Sequence, residues 1–451
     1  MAQDALGNSI SAASDAALSG INDFVSGFLG YEKQAANVLA AADADPDCTL
    51  ANIYAGFSWM FLEAAGAEDQ ASLYLARAQA SAAGANRREA MMLAQLERWI
   101  AGDIPGVQAV GEQIVDEFPT DLASAKLHQY FSFNRGDAAS MLRIARKVLP
   151  ANPDNPYVHG MLAFGYEQMH EIDKAELAAR KALSLKEKEP WAQHALAHVM
   201  LSQGRVREGA GFMGEASKTW VDLNSFMYTH NWWHKALFHI SLGDNQAVFD
   251  AYDRHVWGQE KDYSQDQVGA VSLLARMEIA GMDVGNRWED VADHMRSRAR
   301  DTIQPFLTIQ YLYGLARAER AEADTLMAAV EEKALSSTAF DRLVWHDVVL
   351  PGCRGVLAHA RGQYQEAVRY LSIANPRIAE IGGSHAQRDL FGQILLDAHL
   401  KAGNWDIARQ LLEMRRTWDP DGVPLNRALA MVYQKLGKPE EAAQAAARHY
   451  D

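Results

Sequence analysis

Cysteine is nearly absent. Cys48 and Cys353 are the only two in 451 residues and show no CxxC spacing, which excludes a disulfide framework and a thiolate zinc site. No lysine or arginine precedes Lys33, so the start lacks the basic region of a signal peptide. No apolar run reaches the roughly 18 residues needed to span a bilayer. The resulting expectation is a cytoplasmic protein with no membrane partner. Positive charge is also scarce: a formal charge of −15 and a pI near 5.5 repel polyanions, so nucleic acid is not an expected partner. Catalytic signatures are missing too. There is no G-x-S-x-G elbow, no P-loop, and no dinucleotide G-x-G-x-x-G between strand and helix. Strand-type alternation of Val, Ile and Thr is nearly lacking.

Helix formers fill the space left by these absences. Ala, Leu, Glu, Gln and Arg dominate, and the chain is 49% apolar. Pro156-Tyr157 returns as Pro190-Trp191, Leu162-Ala163 as Leu196-Ala197, and Ala182 as Ala216, each 34 residues on. That period marks tetratricopeptide-type helix-turn-helix repeats. A turn glycine followed five residues later by alanine recurs at Gly66/Ala71, Gly362/Ala367, Gly403/Ala408 and Gly437/Ala442. Glycine supplies the left-handed turn, and the small alanine lets the second helix approach the first. Weaker copies stand at His170/Ala175, Gly204/Gly209 and Gly136/Met141. The Asp-rich stretch from Ala41 to Cys48 reads as an inter-helix turn, because it lacks calcium-loop spacing.

The expected fold class is therefore all-α, an α-α superhelix of tetratricopeptide-like antiparallel helix pairs, strongly curved, in a single domain. An N-terminal helical cap occupies residues 1–34, and the repeat superhelix runs over 35–450. Irregular segments are expected at about 255–345 and 373–389. There the period slips, and the stretches from Gly258 to Asp266 and from Ile373 to Asp389 are long for repeat turns.

The densest chemistry lies between Trp191 and His239, 49 residues that hold five of the 15 histidines and four of the 11 tryptophans. His194 and His198 are four residues apart, as are His230 and His234. On a helix each pair stacks on one face about 6 Å apart. Counted from Pro190, His194 and His198 take the fifth and ninth repeat positions, which line the concave groove of tetratricopeptide proteins. HxxxH pairs chelate zinc or iron but lack the glutamate of an HExxH site, so a divalent metal at His194, His198, His230 and His234 is one reading. A metal-free polar pocket is another, and ordinary packing of satisfied imidazoles and indoles is a third.

Four motifs carry a closer likeness: Trp191 to Gly214, His230 to Asn245 with Ala251 to Arg254 after it, Ser272 to Gly281 leading to Arg287-Trp288, and Gly382 to Asp389. They resemble, in order, the tetratricopeptide repeat protein 38 family, and the likeness runs from about Asp15 to Ala443. It implies the repeat fold and a location of interest at His194, His198, Glu208, Gly209, His230, Trp232, Trp233, His234, Arg276, His385, Gln387, Arg388 and Asp389. In the last motif two glycines permit close backbone approach and Ser384 caps the following helix. His385, Arg388 and Asp389 offer a base, an anion clamp and an orienting carboxylate; a plain helix start accounts for the same residues.

Two functions remain. In the first, a His/Trp-lined concave groove binds a small or peptide ligand through His194, His198, His230, Trp232, Trp233, His234, Arg276, His385, Gln387, Arg388 and Asp389. In the second, the same groove is an enzyme's acid/base site, with or without metal. Imidazoles crowded together depress one another's protonation, which leaves a neutral base at pH 7. Exposed faces of terminal repeats leave homo-oligomer formation open.

Overall fold

The turn glycines do what their spacing implies. In the computed structural model, which describes residues 2–11, 13–337 and 340–450, Gly66, Gly362, Gly403 and Gly437 have φ of 86, 74, 76 and 71°. The alanines five residues on are all buried. At His170 an L residue takes the same left-handed place, with φ 57°. In the Gly204 repeat the fifth position is Gly209, and a Cβ there would lie 2.2 Å from the Phe238 ring. That close approach requires glycine.

The helices run in order as α1 (Asp15–Gly30), α2 (Asn37–Ala44), α3 (Thr49–Met60), α4 (Ala67–Ser81), α5 (Arg87–Ile100), α6 (Ile104–Glu117), α7 (Leu122–Phe133), α8 (Ala138–Val148), α9 (Pro156–Gln168), α10 (Ile172–Leu185), α11 (Pro190–Ser202), α12 (Val206–Ala216) and α13 (Ser225–Leu242). They continue as α14 (Asn245–Ala251), α15 (Ser264–Ile279), α16 (Arg287–His294), α17 (Pro305–Arg317), α18 (Glu322–Ser336), α19 (Arg342–Val344), α20 (Leu350–Ala360), α21 (Tyr364–Ala374), α22 (His385–Lys401), α23 (Trp405–Arg416), α24 (Val423–Lys435) and α25 (Pro439–Ala446). Consecutive helices pack as pairs, among them α3 with α4, α9 with α10, α20 with α21 and α24 with α25. The chain is an all-α protein of tetratricopeptide-like helix pairs. Among the described residues the strands are the two-residue pair Ala2–Gln3 and Ser9–Ile10. They open the segment expected as a purely helical cap, because the Asp4 carboxylate accepts the Leu6 and Asn8 N–H groups and closes a turn there.

The chain divides into two compact units, Met1–Leu196 with Thr219–Met227, and Ala197–Lys218 with Tyr228–Asp451. The first has a core built on Phe24, Tyr54, Leu96, Trp99 and Leu127. Its helices start at side-chain caps on Asn86, Asp103, Asp121 and Asp137. Lys126 of α7 donates to the carbonyls of Phe28 and Leu29, both at 2.8 Å, and so satisfies the end of α1.

In the second unit the core runs from Trp233 through Leu273, Tyr311 and Trp345 to Ile394. Helices α15 and α17 are buried almost all round, which explains their continuous apolar character. Within this unit α15 packs on both α17 and α22. Single π turns at Tyr252–Val256 and Trp345–Val349 flank the first segment expected to be irregular, which itself holds helices α15 to α19, and a 3-10 stretch at Asn375–Ile381 lies in the second.

Candidate functional site

Helix α13 places its aromatic residues by simple helical geometry. His230 and His234 are one turn apart, and their Nε2 atoms lie 3.2 Å from each other. Trp233 lies parallel to the His230 ring, with centroids 5.4 Å apart and planes within 9°. From α11, the His198 ring comes to 4.5 Å from that of His234. All four side chains are buried, at 8% exposure or less. Burial, and after it the charge of His198, pushes the His230 imidazole down to about 3. His230 is therefore neutral at pH 7.

Arg276 of α15 brings a cation to this group. Its guanidinium carbon is 5.0 Å from the Trp233 ring centroid. Nη1 donates to Ser272 Oγ at 2.5 Å, one turn back, and Nη2 to the Ala386 carbonyl at 2.6 Å. The first turn of α22, 110 residues further along the chain, thus meets the histidine-bearing helix through one side chain. Burial lowers Arg276 to about 10, which leaves it charged at neutral pH.

The loop before α22 is shaped by its glycines. Gly382 and Gly383 have φ of 85 and 80°, and a Cβ on Gly383 would lie 2.6 Å from the Phe306 ring. Ser384 and Gln387 then form a reciprocal capping box that starts α22. Arg388 donates to the Gly383 carbonyl and bonds His385 Nδ1 at 3.2 Å. One expected role changes. Asp389 does not orient His385. Its carboxylate accepts a bidentate pair from Arg415 at 2.6 and 2.7 Å. Burial alone would raise Asp389, but Arg415 outweighs it and holds the group at about 2.

Trp232, one residue before Trp233, points elsewhere. It stacks on His255 at 3.6 Å and 6°, with Lys235 Nζ 4.4 Å from its centroid. His255 is in turn bonded to the Tyr228 hydroxyl at 2.6 Å. His194 belongs to the first unit, where it stacks on Trp191 at 4.5 Å against Phe164. Tyr31 completes that aromatic row, with Lys126 Nζ 3.4 Å from its centroid.

Sequence reasoning missed several groups. His255 lies in a π turn, which side-chain spacing does not announce. Asn231 stands inside the His230 motif with 0% exposure, and neither its oxygen nor its nitrogen makes a hydrogen bond. Its signal was an amide amid a buried helical run. A second buried chain links Tyr313, His359 and Asp397, with contacts of 3.1 and 2.7 Å across three helices. Only the fold brings those three together.

No family model matches the chain. Among solved structures it is similar to a human IFIT1 dimer with m7Gppp-AAAA, at 14% identity over 97% of this chain and 95% of that one, with a TM-score of 0.43. It is also similar to the P58(IPK) TPR domain, at 12% identity over 81% and 94% with a TM-score of 0.23. A third likeness is to Naa15/Naa10 bound to HypK-THB, at 12% identity over 96% and 68% with a TM-score of 0.25. The fold class itself rests on the helix pairs described above. No described helix is long and apolar enough to cross a membrane.

Proposed function

We propose that this is a tetratricopeptide-like binding protein whose second unit holds a small molecule at His198, His230, His234, Trp233 and Arg276. One observation carries the proposal: three imidazoles and a guanidinium are buried together against one indole. A core made only for stability is better served by apolar side chains, since ionisable and polar groups carry a desolvation cost on burial. Directed polar groups on an aromatic wall are instead what a small ligand needs. Five of the thirteen residues that carry the likeness to the tetratricopeptide repeat protein 38 family, His198, His230, Trp233, His234 and Arg276, make up this site, which supports the location. The acidic balance of the chain favours a small ligand over nucleic acid.

The test is a small-molecule screen on the full chain by tryptophan fluorescence and thermal shift. Any hit should weaken at least tenfold in His234→Ala, with circular dichroism unchanged. If only peptides bind, and His234→Ala and His230→Gln leave that binding intact, the proposal fails.

A metal-dependent enzyme is the second reading, favoured by the 3.2 Å between the two Nε2 atoms. A tetrahedral zinc with Zn–N near 2.0–2.1 Å needs a bite of about 3.3 Å. His230 and His234 would hold the ion, which would supply Lewis-acid chemistry. Elemental analysis of protein purified without chelator decides it: near one equivalent of zinc or iron supports this reading, and less than a tenth sinks it.

A further inference from the structure

We infer that the ligand of the α13 site is a monocarboxylate and that Arg276 seats its carboxylate group. The inference rests on the binding site proposed above and names the ligand's chemistry.

Charge comes first. Arg276 is 2% exposed, and among the described residues no carboxylate lies within 4 Å of it. The acidic group that acts on it electrostatically, Asp389, is committed to Arg415 in a bidentate pair. A buried cation without a counterion is costly, and the carbonyls of Ala386 and Gln387 offset that cost with dipoles only.

Donors come second. Nη1 of Arg276 is spent on Ser272, and Nη2 on the 386–387 backbone. Among the described residues its Nε–H has no hydrogen-bond partner. The Trp233 ring lies against the same guanidinium, and its buried Nε1–H also has no partner. Two unspent N–H donors beside one buried positive charge call for an oxyanion. With both Nη groups spent, a carboxylate would take a single charge-assisted bond from Nε.

The valence follows from the same group. The buried Arg276 guanidinium offers one positive charge to a bound group. One cation compensates one negative charge, and a dianionic phosphate would remain half uncompensated in a dry site.

Calorimetric titration of the full chain with benzoate, benzamide and inorganic phosphate tests this. Benzoate should bind, benzamide at least tenfold more weakly, and phosphate not measurably. Arg276→Gln should weaken benzoate at least tenfold and leave benzamide unchanged, and Trp233→Phe, which keeps a ring but removes the N–H, about threefold. Should Arg276→Gln fail to fold, the benzoate–benzamide ratio on the natural chain carries the test alone. Equal binding of benzoate and benzamide overturns the inference and leaves the binding-site proposal standing. Phosphate binding without benzoate binding overturns the carboxylate. If none of the three binds, the monocarboxylate is rejected, and the site stands or falls on its own ligand screen.

Discussion

Acidification should destabilise the second unit through His230, by an amount that can be worked out. The imidazole is held at about 3 in the fold against an ordinary value of 6.5. Protonation therefore favours the unfolded chain. The stability contributed by keeping His230 neutral is complete above pH 6.5, and it is lost progressively as the pH falls toward 3. Within that window the slope approaches about 1.4 kcal/mol per pH unit, so the loss between pH 7 and pH 5 is about 2 kcal/mol. His234 contacts His230, and Arg276 borders Trp233. The assay is urea unfolding of chelator-treated protein at pH 7 and pH 5, natural chain against His230→Gln, which cannot titrate. The variant should be less stable at pH 7, and its further loss at pH 5 should be smaller by about 2 kcal/mol. A pH dependence that matches the natural chain within about 0.5 kcal/mol would refute the buried neutral imidazole.

Three further outcomes follow from packing, charge and capping. Gly209→Ala places a methyl 2.2 Å from the Phe238 ring and should cost about 1–3 kcal/mol of urea stability, more than the same change at exposed Gly211. In the first unit, Arg88 bonds Asp121 at 2.7 Å and lies 3.4 Å from Asp4, all buried. Arg88→Met should lower stability by about 3–5 kcal/mol, and adding Asp121→Leu should recover much of that loss in a double-mutant cycle. Ser384→Ala removes the cap of α22 and should cost about 1 kcal/mol, with faster hydrogen exchange at Gln387 and Arg388 and little change at Leu396.

Much of the fold was legible because its causes are local. A glycine at Gly403 followed by Ala408 encodes a left-handed turn and a close helix pair within six residues, and the fold realises both. Ser384 and Gln387 likewise announce a capping box that forms. The site was legible in part. The His230 and His234 spacing implies adjacency on one helix face, and their rings are adjacent. Direction was less legible: Trp232 and Trp233 are neighbours in sequence, yet one stacks on His255 and the other lies under Arg276. Asp389 is the clearest miss, since the chemistry of its own loop suggests His385 as partner whereas Arg415, 26 residues on, takes both oxygens.

By itself the sequence determined what repeats and what starts or ends a helix. Period, turn glycines and caps act over a few residues, where backbone sterics and local hydrogen bonds decide. Tertiary structure alone decided which distant groups share a site. Arg276 reaches a carbonyl in the first turn of a helix 110 residues away, and Tyr313, His359 and Asp397 join across three helices. Those meetings depend on how helix pairs stack, and the side chains that pair there compete for partners in three dimensions that no spacing along the chain records.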